Sequence, residues 1–267
     1  MGSFRKSILH ISDLHFGKID DKVVANLRAH ILDTNNKVDV VVVTGDLTQR
    51  ARREQFIAAA KFLTEIQKTI PVVVIPGNHD VPLYNIFRRF LNPFGSYLKY
   101  IHPVLPDFYE DDTMIICGLW SNNIKKVADG RISSKELDKA KRILGPVDGK
   151  LKVVLIHHPL FNELPDATHE MGQRLRAIIE LKPHLIMSGH EHQSSVKFLT
   201  GNEHHFPLLV SAGTGTSTRL REEPNSFNLI CMTSPELKVI NYTYDSSVNK
   251  FQKTPIFKNE FPFLQTL

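Results

Sequence analysis

The chain has 267 residues, enough for one large domain and short for two well-separated ones. Its 42% hydrophobic and 23% charged residues are typical of a soluble globular protein, and its longest apolar runs, residues 38–43 and 71–75, are too short to cross a bilayer. The formal net charge of +5 would help to attract an anionic substrate, but no recognised nucleic-acid-binding motif accompanies it.

The first 15 residues carry charges and lack the apolar core of a signal peptide, so we expect a cytoplasmic protein. Cys117 and Cys231 each lie in an apolar run and are expected to be reduced, buried thiols. Most basic residues, among them Arg50, Arg52 and Arg219, are interpreted as solvated surface charges. Nothing in the sequence indicates an oligomeric state.

Short β-branched runs alternate with segments that have helical apolar spacing. Runs such as VDVVVV are apolar at consecutive positions, which is typical of strands buried on both faces. The predicted strands are residues 7–11, 38–44, 71–75, 114–119, 152–156, 184–187, 207–211, 227–232 and 237–244. The predicted helices are residues 22–34, 53–69, 133–144 and 172–181, and their apolar stripes indicate packing on a sheet.

From residue 207 onward the strands follow one another through turns, with little helix between them. A parallel first part and an antiparallel later part predict an α/β fold, a four-layer αββα sandwich of two stacked mixed sheets flanked by helices. We expect one domain over residues 1–267. Residues 81–112 are a candidate substrate-cap segment, and residues 249–267 are predicted to be a poorly patterned tail packed on the surface.

Five short motifs carry the chemistry, and four of them directly follow a predicted strand. They are Asp13-Leu-His15, Gly45-Asp46, Gly77-Asn78-His79-Asp80, His157-His158 and Gly189-His190-Glu191-His192. Strand ends in stacked α/β sheets deliver side chains into a common crevice, and the glycines permit sharp turns there. The oxygen and nitrogen donors suit Mn, Fe or Zn. Each motif is weak evidence alone, but their occurrence together at strand ends is poorly explained by chance.

The ordered series D-x-H, G-D, G-N-H-D, H-H-P and G-H-x-H, from Asp13 to His192, resembles the calcineurin-like metallophosphoesterase superfamily. With the opening I-S-D-L-H-F-G, it is most similar to the bacterial class III cyclic-nucleotide phosphodiesterase and glycerophosphodiesterase branch. The resemblance implies that Asp13, His15 and His192 hold one metal, that Asn78, His157 and His190 hold a second, that Asp46 bridges both, and that His79 is a catalytic non-ligand imidazole. His158 is then the neighbour of a ligand.

The implied cofactors are two divalent ions, Mn²⁺, Fe²⁺/Fe³⁺ or Zn²⁺. Asp13 and Asp46 return only two of their four positive charges, so the site would stay positive and attract a small anionic phosphoester. Ions about 3.5–4 Å apart can clamp an in-line displacement in which a metal-bridging hydroxide attacks phosphorus. His79 would assist as a general acid or hydrogen-bond donor, typically contributing about 10²–10⁴-fold.

One position departs from the family pattern. The protein-phosphatase members continue the second motif as G-D-x-x-D-R-G, and their second Asp orients the catalytic His. Gln49 stands at that place here, which argues against a Ser/Thr protein phosphatase and leaves the orientation of His79 open. Asp80 directly follows His79 and serves either the site or a turn.

Two segments are candidates for substrate recognition. In residues 84–100, aromatic side chains could stack on a base while Arg88 or Arg89 holds a phosphate, or the segment is a helix with core aromatics and solvated arginines. The polar loop 213–221 could line the cleft or be only a turn, and Asn122 is a weaker candidate. His102, His169, His184, His204 and His205 match no motif and are assigned to surface or core.

Four functions fit these residues. The first is a phosphodiesterase acting on cyclic nucleotides or other small diesters. The second is a hydrolase of a lipid-linked or nucleotide pyrophosphate, which would need an apolar face that residues 87–94 could supply. The third is a metal-dependent nuclease, which the lack of an added DNA-binding domain disfavours. The fourth is a non-catalytic scaffold, which the complete set of expected residues disfavours.

Overall fold

Two six-stranded mixed sheets form the centre of the molecule. The computed structural model describes residues 4–33, 37–126, 128–161, 165–199, 207–221 and 223–265; His204 and His205 lie outside them. The first sheet has the order β12-β11-β10-β1-β2-β3 and the second has the order β4-β5-β6-β7-β9-β8.

The strands of the first sheet are β1 (Arg5–Ile11), β2 (Val40–Val43), β3 (Val72–Val74), β10 (Ser226–Thr233), β11 (Glu236–Asp245) and β12 (Lys250–Glu260). Those of the second are β4 (Phe108–Glu110), β5 (Met114–Gly118), β6 (Leu151–Leu155), β7 (Leu185–Ser188), β8 (Ser195–Phe198) and β9 (Leu208–Ser211). In the first sheet the parallel strands β1, β2 and β3 lie at one edge, and the pairs from β1 to β12 are antiparallel. In the second sheet parallel pairs at the centre meet an antiparallel pair at each edge.

The helices of the described residues are α1 (Asp21–Leu32), α2 (Arg53–Gln67), α3 (Ile86–Leu91), α4 (Gly95–Tyr100), α5 (Ser134–Leu144) and α6 (Glu170–Ile179). All except α3, which has no buried residue, cover the outer faces of the two sheets. The side chain of Asp20 caps α1 and that of Ser133 caps α5, which explains where these helices begin.

Successive side chains along each strand point to opposite faces of the sheet, and the buried ones form three apolar clusters. In β2, Val40 and Val42 face the core between the two sheets, whereas Val41 and Val43 face α1 and α2. On the other side, Ile115 and Val154 pack in a cluster that includes side chains of α5 and α6. The four layers therefore follow the order helices, sheet, sheet, helices, which confirms the predicted αββα sandwich.

The C-terminal part differs from the sequence prediction. Residues 250–260 are not a tail but β12, an edge strand that pairs antiparallel with the whole length of β11. Most of its side chains are exposed, so it lacks the apolar pattern by which a strand is recognised. Beyond it, Phe261 and Leu264 are buried in the core between the sheets.

Within the described residues, no helix combines the length and apolar character needed to cross a membrane.

Candidate active site

Seven of the predicted metal-binding side chains meet at one edge of the two sheets. They come from loops that follow the carboxyl ends of β1, β2, β3, β6 and β7, parallel strands whose chain directions place these ends together. The side chains are those of Asp13, His15, Asp46, Asn78, His157, His190 and His192. All are buried except His190, which is partly exposed.

Three of these side chains form what we call the carboxylate half of the site. Oδ1 of Asp13 lies 3.1 Å from Nε2 of His192 and 3.6 Å from Nε2 of His15. The two imidazole nitrogens are themselves 3.4 Å apart. Three donor atoms thus surround one point, with two ring nitrogens and one carboxylate oxygen directed at it.

Three others form the amide half. Oδ1 of Asn78 lies 2.9 Å from Nε2 of His157 and 3.0 Å from Nδ1 of His190. The ring of His157 is fixed from behind, because its Nδ1 donates to the carbonyl oxygen of Thr44 over 2.7 Å. Its Nε2 therefore presents a lone pair to the site.

Asp46 lies between the two halves. Its Oδ2 is 3.8 Å from Nε2 of His15, and its Oδ1 is 3.4 Å from Nε2 of His157. The backbone N–H of His79 donates to Oδ1 over 2.7 Å and helps to fix the carboxylate. One side chain thus presents an oxygen to each half.

The donor set fits two divalent cations. Bonds of about 2.0–2.2 Å from nitrogen and oxygen to such an ion leave neighbouring donors about 3 Å apart, close to the spacings seen in both halves. Oδ1 of Asp13 is buried without a well-formed hydrogen bond among the described residues, although burying an unpaired anionic oxygen is costly. A cation would satisfy it, and Asp13, Asp46 and His157 also meet the spacing of a metal-binding group.

The loops that carry these residues hold strained backbone. Positive φ angles, which cost roughly 1–3 kcal/mol for a non-glycine residue, occur at Asp13 (53°), His15 (51°), Asp46 (53°), His190 (73°) and His192 (62°). Backbone bonds between two of the loops support the conformation: the Asp13 N–H donates to the Gly45 carbonyl over 3.1 Å, and the His15 N–H to Asp46 over 2.9 Å. These hydrogen bonds thus offset the cost of a backbone conformation that directs the side chains into the site.

Gly45 has a positive φ of 97°, and a Cβ there would overlap the His157 ring and the backbone of Gly77. Only glycine allows the second motif to pass this close to the third and fourth.

Asp80 ties the second and third motif loops together. Its carboxylate accepts backbone hydrogen bonds from Leu47 (3.1 Å), Thr48 (2.9 Å) and Gly77 (2.9 Å). Burial and the charge of Asp46 raise its pKa to about 6. Of the two roles open from the sequence, the structure shows a positioning carboxylate that fixes the loops around Asp46 and His79.

The orientation of His79 has a simple cause. Its Nδ1 lies 2.8 Å from the backbone carbonyl oxygen of Gln49, so an N–H at Nδ1 donates to that carbonyl. The Gln49 side chain approaches the ring only at 3.4 Å. The backbone of residue 49 therefore does what an Asp side chain does in the protein-phosphatase pattern. Burial lowers the pKa of His79, opposed by the charge of Asp46.

The two halves differ in how they hold protons. Burial alone would lower the pKa of His15, but the adjacent Asp13 carboxylate and the charge of Asp46 raise it above its ordinary value. Burial would raise the pKa of Asp13, but the neighbouring imidazoles of His15 and His192 hold it well below its ordinary value. In the amide half, burial and the neighbouring His157 lower the pKa of His190 to about 4.

The ring of His158 packs against His157 and His190 of the amide half, and its predicted role is that of a neighbour to a ligand. Nδ1 of His158 lies 2.9 Å from Oγ of Ser121, and the same oxygen accepts from the backbone N–H of His157 over 3.2 Å and of His158 over 3.1 Å. His158 also meets the spacing of a metal-binding group with His157 and His190. Ser121, which the sequence analysis missed, thus holds the histidine pair.

Within the described residues, no hydrogen bond joins Arg88, Arg89 or Asn122 to the seven side chains. Arg88 donates to Oγ of Ser96 over 3.0 Å, and Arg89 donates to the carbonyl oxygen of Ile124 over 2.7 Å. The buried amide atoms of Asn122 have no hydrogen-bond partner among the described residues. The substrate-binding role of these three residues stays a prediction.

The segment after the third motif presents apolar side chains to solvent. The exposed fractions are 76% for Tyr84, 81% for Phe87, 58% for Phe90 and 82% for Leu91, whereas Tyr97 is fully buried. Of the two interpretations drawn from the sequence, core packing thus describes Tyr97 and not the residues of α3.

A pocket of about 710 Å³ opens beside His79. Its lining includes Lys18, Arg50, Arg52, Tyr84 and Arg219. Arg219 belongs to the polar loop that the sequence analysis considered as a cleft wall. Lys18, Arg50 and Arg52 were missed, although two of them lie within five residues of the first two motifs, a position that could have marked them.

The chain belongs to the calcineurin-like phosphoesterase family, because the family model matches residues 6–194, more than half of the sequence. It is therefore a phosphoric ester hydrolase by class.

Its relatives include bacterial phosphodiesterases. The chain is 26% identical to the 3′,5′-cyclic adenosine monophosphate phosphodiesterase CpdA of Haemophilus influenzae, over 94% of this chain and 92% of that protein. It is 30% identical to a probable glycerophosphodiester phosphodiesterase, GpdQ, of Arcobacter nitrofigilis, over 57% of this chain and 56% of that protein. The resemblance to this bacterial branch is thereby confirmed.

Solved structures share the fold at low identity. Purple acid phosphatase PPD1 from yellow lupin seeds has a TM-score of 0.67 and 15% identity, covering 99% of this chain and 55% of that one. GAP50 of Plasmodium, described as the anchor in the inner membrane complex, has a TM-score of 0.58 and 12% identity, covering 96% of this chain and 88% of that one.

Proposed function

We propose that this chain is a phosphodiesterase that holds two divalent ions and cleaves cyclic nucleotides or other small phosphodiesters. The observation that carries the proposal is the position of Asp46, whose two oxygens face two separate groups of donors. The relatives named as phosphodiesterases support the diester substrate. We also propose that the chain acts as one domain, since the core between the sheets takes side chains from both.

Asp13, His15 and His192 would hold one ion, Asn78, His157 and His190 the other, and Asp46 both. The chemistry that such ions would supply is neutralisation of phosphoryl oxygens and a lowered pKa of coordinated water. The protein's part is to aim the imidazoles at the ions, which the Thr44 carbonyl does for His157. The mixture of nitrogen and oxygen donors favours Mn²⁺, Fe²⁺/Fe³⁺ or Zn²⁺.

His79 is placed to handle a proton on the leaving group. With Nδ1 engaged by the Gln49 carbonyl, its Nε2 is the atom available to the substrate. Burial favours the neutral ring in the free protein, and an anionic substrate beside it favours the imidazolium. The Nε2–H then donates to the leaving oxygen as the ester bond breaks.

A second candidate is a hydrolase of a lipid-linked or nucleotide pyrophosphate. The exposed apolar side chains of Tyr84, Phe87 and Leu91 favour it, because they lie directly after the third motif, and Tyr84 also lines the pocket beside His79. Nothing comparable favours a nuclease or a scaffold, and every expected donor position is filled.

A substrate panel with Mn²⁺ separates these candidates. It compares bis-p-nitrophenyl phosphate, p-nitrophenyl phosphate, 3′,5′-cyclic nucleotides, a nucleoside diphosphate sugar and single-stranded DNA. We expect diester cleavage that a chelator abolishes and that added Mn²⁺ restores. A monoester rate far above every diester rate would reject the assignment, and faster pyrophosphate cleavage would favour the second candidate.

A further inference from the structure

The pocket beside His79 concentrates positive charge. Lys18, Arg50, Arg52 and Arg219 all line it, and all four are exposed. In the part of the chain that the structure describes, no carboxylate approaches any of their charged groups to within the 4.0 Å of an ion pair. Glu54 lines only the neighbouring groove. Like charges gathered without counter-ions repel each other, so the pocket favours an anion.

The loops that carry these cations are joined to one another. The Phe16 N–H donates to the Leu47 carbonyl over 2.8 Å, and the Gln49 N–H returns to the Phe16 carbonyl over 3.0 Å. The Thr218 N–H donates to the Lys18 carbonyl over 2.7 Å and adds the third loop. The base from which the charged side chains project is thus fixed before any ligand binds, which lowers the entropy cost of binding.

Two more features add to the positive field. The Gln55 side chain accepts from the backbone N–H of Arg50 over 2.9 Å, and this fixes the turn that leads into α2. The pocket therefore lies at the N-terminal end of a 15-residue helix, where the helix dipole is positive. The Arg50 guanidinium lies 5.1 Å from the Tyr84 ring centroid, a contact that restricts it over the pocket.

The place of His79 defines which part of a substrate enters. His79 lines the pocket, and its backbone N–H contacts Asp46 in the metal-binding cluster. Because His79 borders both the metal-binding cluster and the pocket, the group that continues past it into the pocket is the one on the side of the leaving alcohol. This step rests on the proposed phosphodiesterase function.

We propose that the pocket is a second anion subsite, which selects diesters whose leaving alcohol carries a further phosphate group. A volume of about 710 Å³ accommodates a group the size of a nucleotide. A phosphate matches the lining better than a carboxylate does, since it brings up to two charges and three acceptor oxygens to two or three guanidinium groups. A cyclic mononucleotide, with only one phosphate, leaves the subsite unfilled.

Equilibrium binding tests this subsite without requiring turnover. With Mn²⁺ present, calorimetry compares adenosine 3′,5′-bisphosphate with 5′-AMP for wild type, Arg50→Ala, Arg219→Ala and the double variant. We expect the bisphosphate to bind about tenfold more tightly to wild type, a difference of about 1.4 kcal/mol. Each single variant reduces that ratio about threefold, as for an exposed charge pair, and the double variant brings it near one.

Matched controls separate the pocket from general charge effects. Arg142 is exposed on α5, in the helical layer of the other sheet, so Arg142→Ala keeps the full ratio. Arg50→Lys keeps most of it because the charge remains. A ratio near one in wild type, or an undiminished ratio in the double variant, would overturn the subsite.

Cleavage of three dinucleotides tests the position of the subsite relative to the scissile bond. They are ApA, its 5′-phosphorylated form and its 3′-phosphorylated form, and internucleoside cleavage is followed by chromatography. We expect one phosphorylated form to have a kcat/KM about tenfold above that of ApA. If all three stay intact, the phosphodiesterase proposal fails while the binding ratio still decides the subsite; if all three are cleaved equally, the subsite fails alone.

Discussion

The carboxylate half and the amide half of the cluster each have two imidazoles of their own and differ in the oxygen donor that accompanies them. Asp13 brings a full negative charge to the first half, and Asn78 brings a neutral carbonyl to the second. Asp46 is shared, so the difference is one charge. We infer that the carboxylate half binds a cation more tightly and also competes more strongly for protons, whereas the amide half fills second and exchanges more readily.

The largest expected effect comes from removing what the halves share. Asp46→Ala takes an oxygen donor from both halves at once, and no other described carboxylate lies between them. Metal content measured by mass spectrometry should fall from two ions per chain toward none, and activity toward that of the chelator-treated protein. A variant that still bound both ions would show that the halves are independent sites.

Removing His79 should leave metal binding by both halves unchanged and affect only turnover. His79→Ala removes no donor from either half, so both ions stay bound while kcat falls by about 10²–10⁴-fold. Metal analysis and kinetics on the same preparation check this together. Loss of the ions in this variant would mean that His79 is a ligand.

Exchanging the two oxygen donors tests the comparison itself. Asp13→Asn and Asn78→Asp are nearly isosteric and move one charge in opposite directions. We expect Asp13→Asn to weaken Mn²⁺ binding to the tighter site by at least about 10- to 100-fold, the loss typical even of changes one contact further from a metal. Asn78→Asp should tighten the weaker site, as measured by calorimetric titration. Equal effects on both sites in both variants would refute the assigned asymmetry.

The next largest expected effect is a difference between the two halves in how their metal affinity depends on pH. A metal binds the neutral imidazole, so a raised pKa means proton competition at higher pH. The pKa of His15 is raised above its ordinary value, whereas that of His190 is lowered to about 4. Between pH 8 and pH 5.5 we therefore expect affinity to decline more steeply at the tighter site than at the weaker one. Titrations in buffers of different ionisation enthalpy would show proton release mainly with the first ion.

The smallest expected effect is that of Gln49→Ala. His79 is oriented by the backbone carbonyl of residue 49, and the Gln49 side chain makes only a 3.4 Å contact with the ring. We expect kcat within about threefold of wild type, since a contact of that length is a poor hydrogen bond. A loss as large as that of His79→Ala would show that the side chain, and not the backbone, sets the ring.

The four layers and the metal-binding cluster could be predicted because each is encoded by a short stretch of sequence. Consecutive valines in residues 40–43 predict a doubly buried strand, and the motif residues follow strands whose ends meet. The assignment of Asp13 and Asn78 to different ions came from the family resemblance. The distances from each residue to its neighbouring imidazoles match it, and the role of both residues as ligands stays a proposal. Predicting the donor residues required no information about distant contacts beyond the order of the strands.

The features that were missed depend on contacts that no residue pattern records. The strand of residues 250–260 is held by pairing with β11 while its side chains face solvent, so no apolar period marks it. The support of His79 is a backbone carbonyl, which is present at every residue and carries no sequence signal. The pocket cations come from three separate loops, and only the fold brings them together.

The central claim is that one cluster holds two cations on either side of Asp46. Crystals grown with Mn²⁺ and measured by anomalous scattering would locate the ions directly. We predict two peaks, one contacted by Asp13, His15 and His192 and the other by Asn78, His157 and His190, with one oxygen of Asp46 at each. A single peak, or peaks away from these side chains under saturating Mn²⁺, would contradict the account.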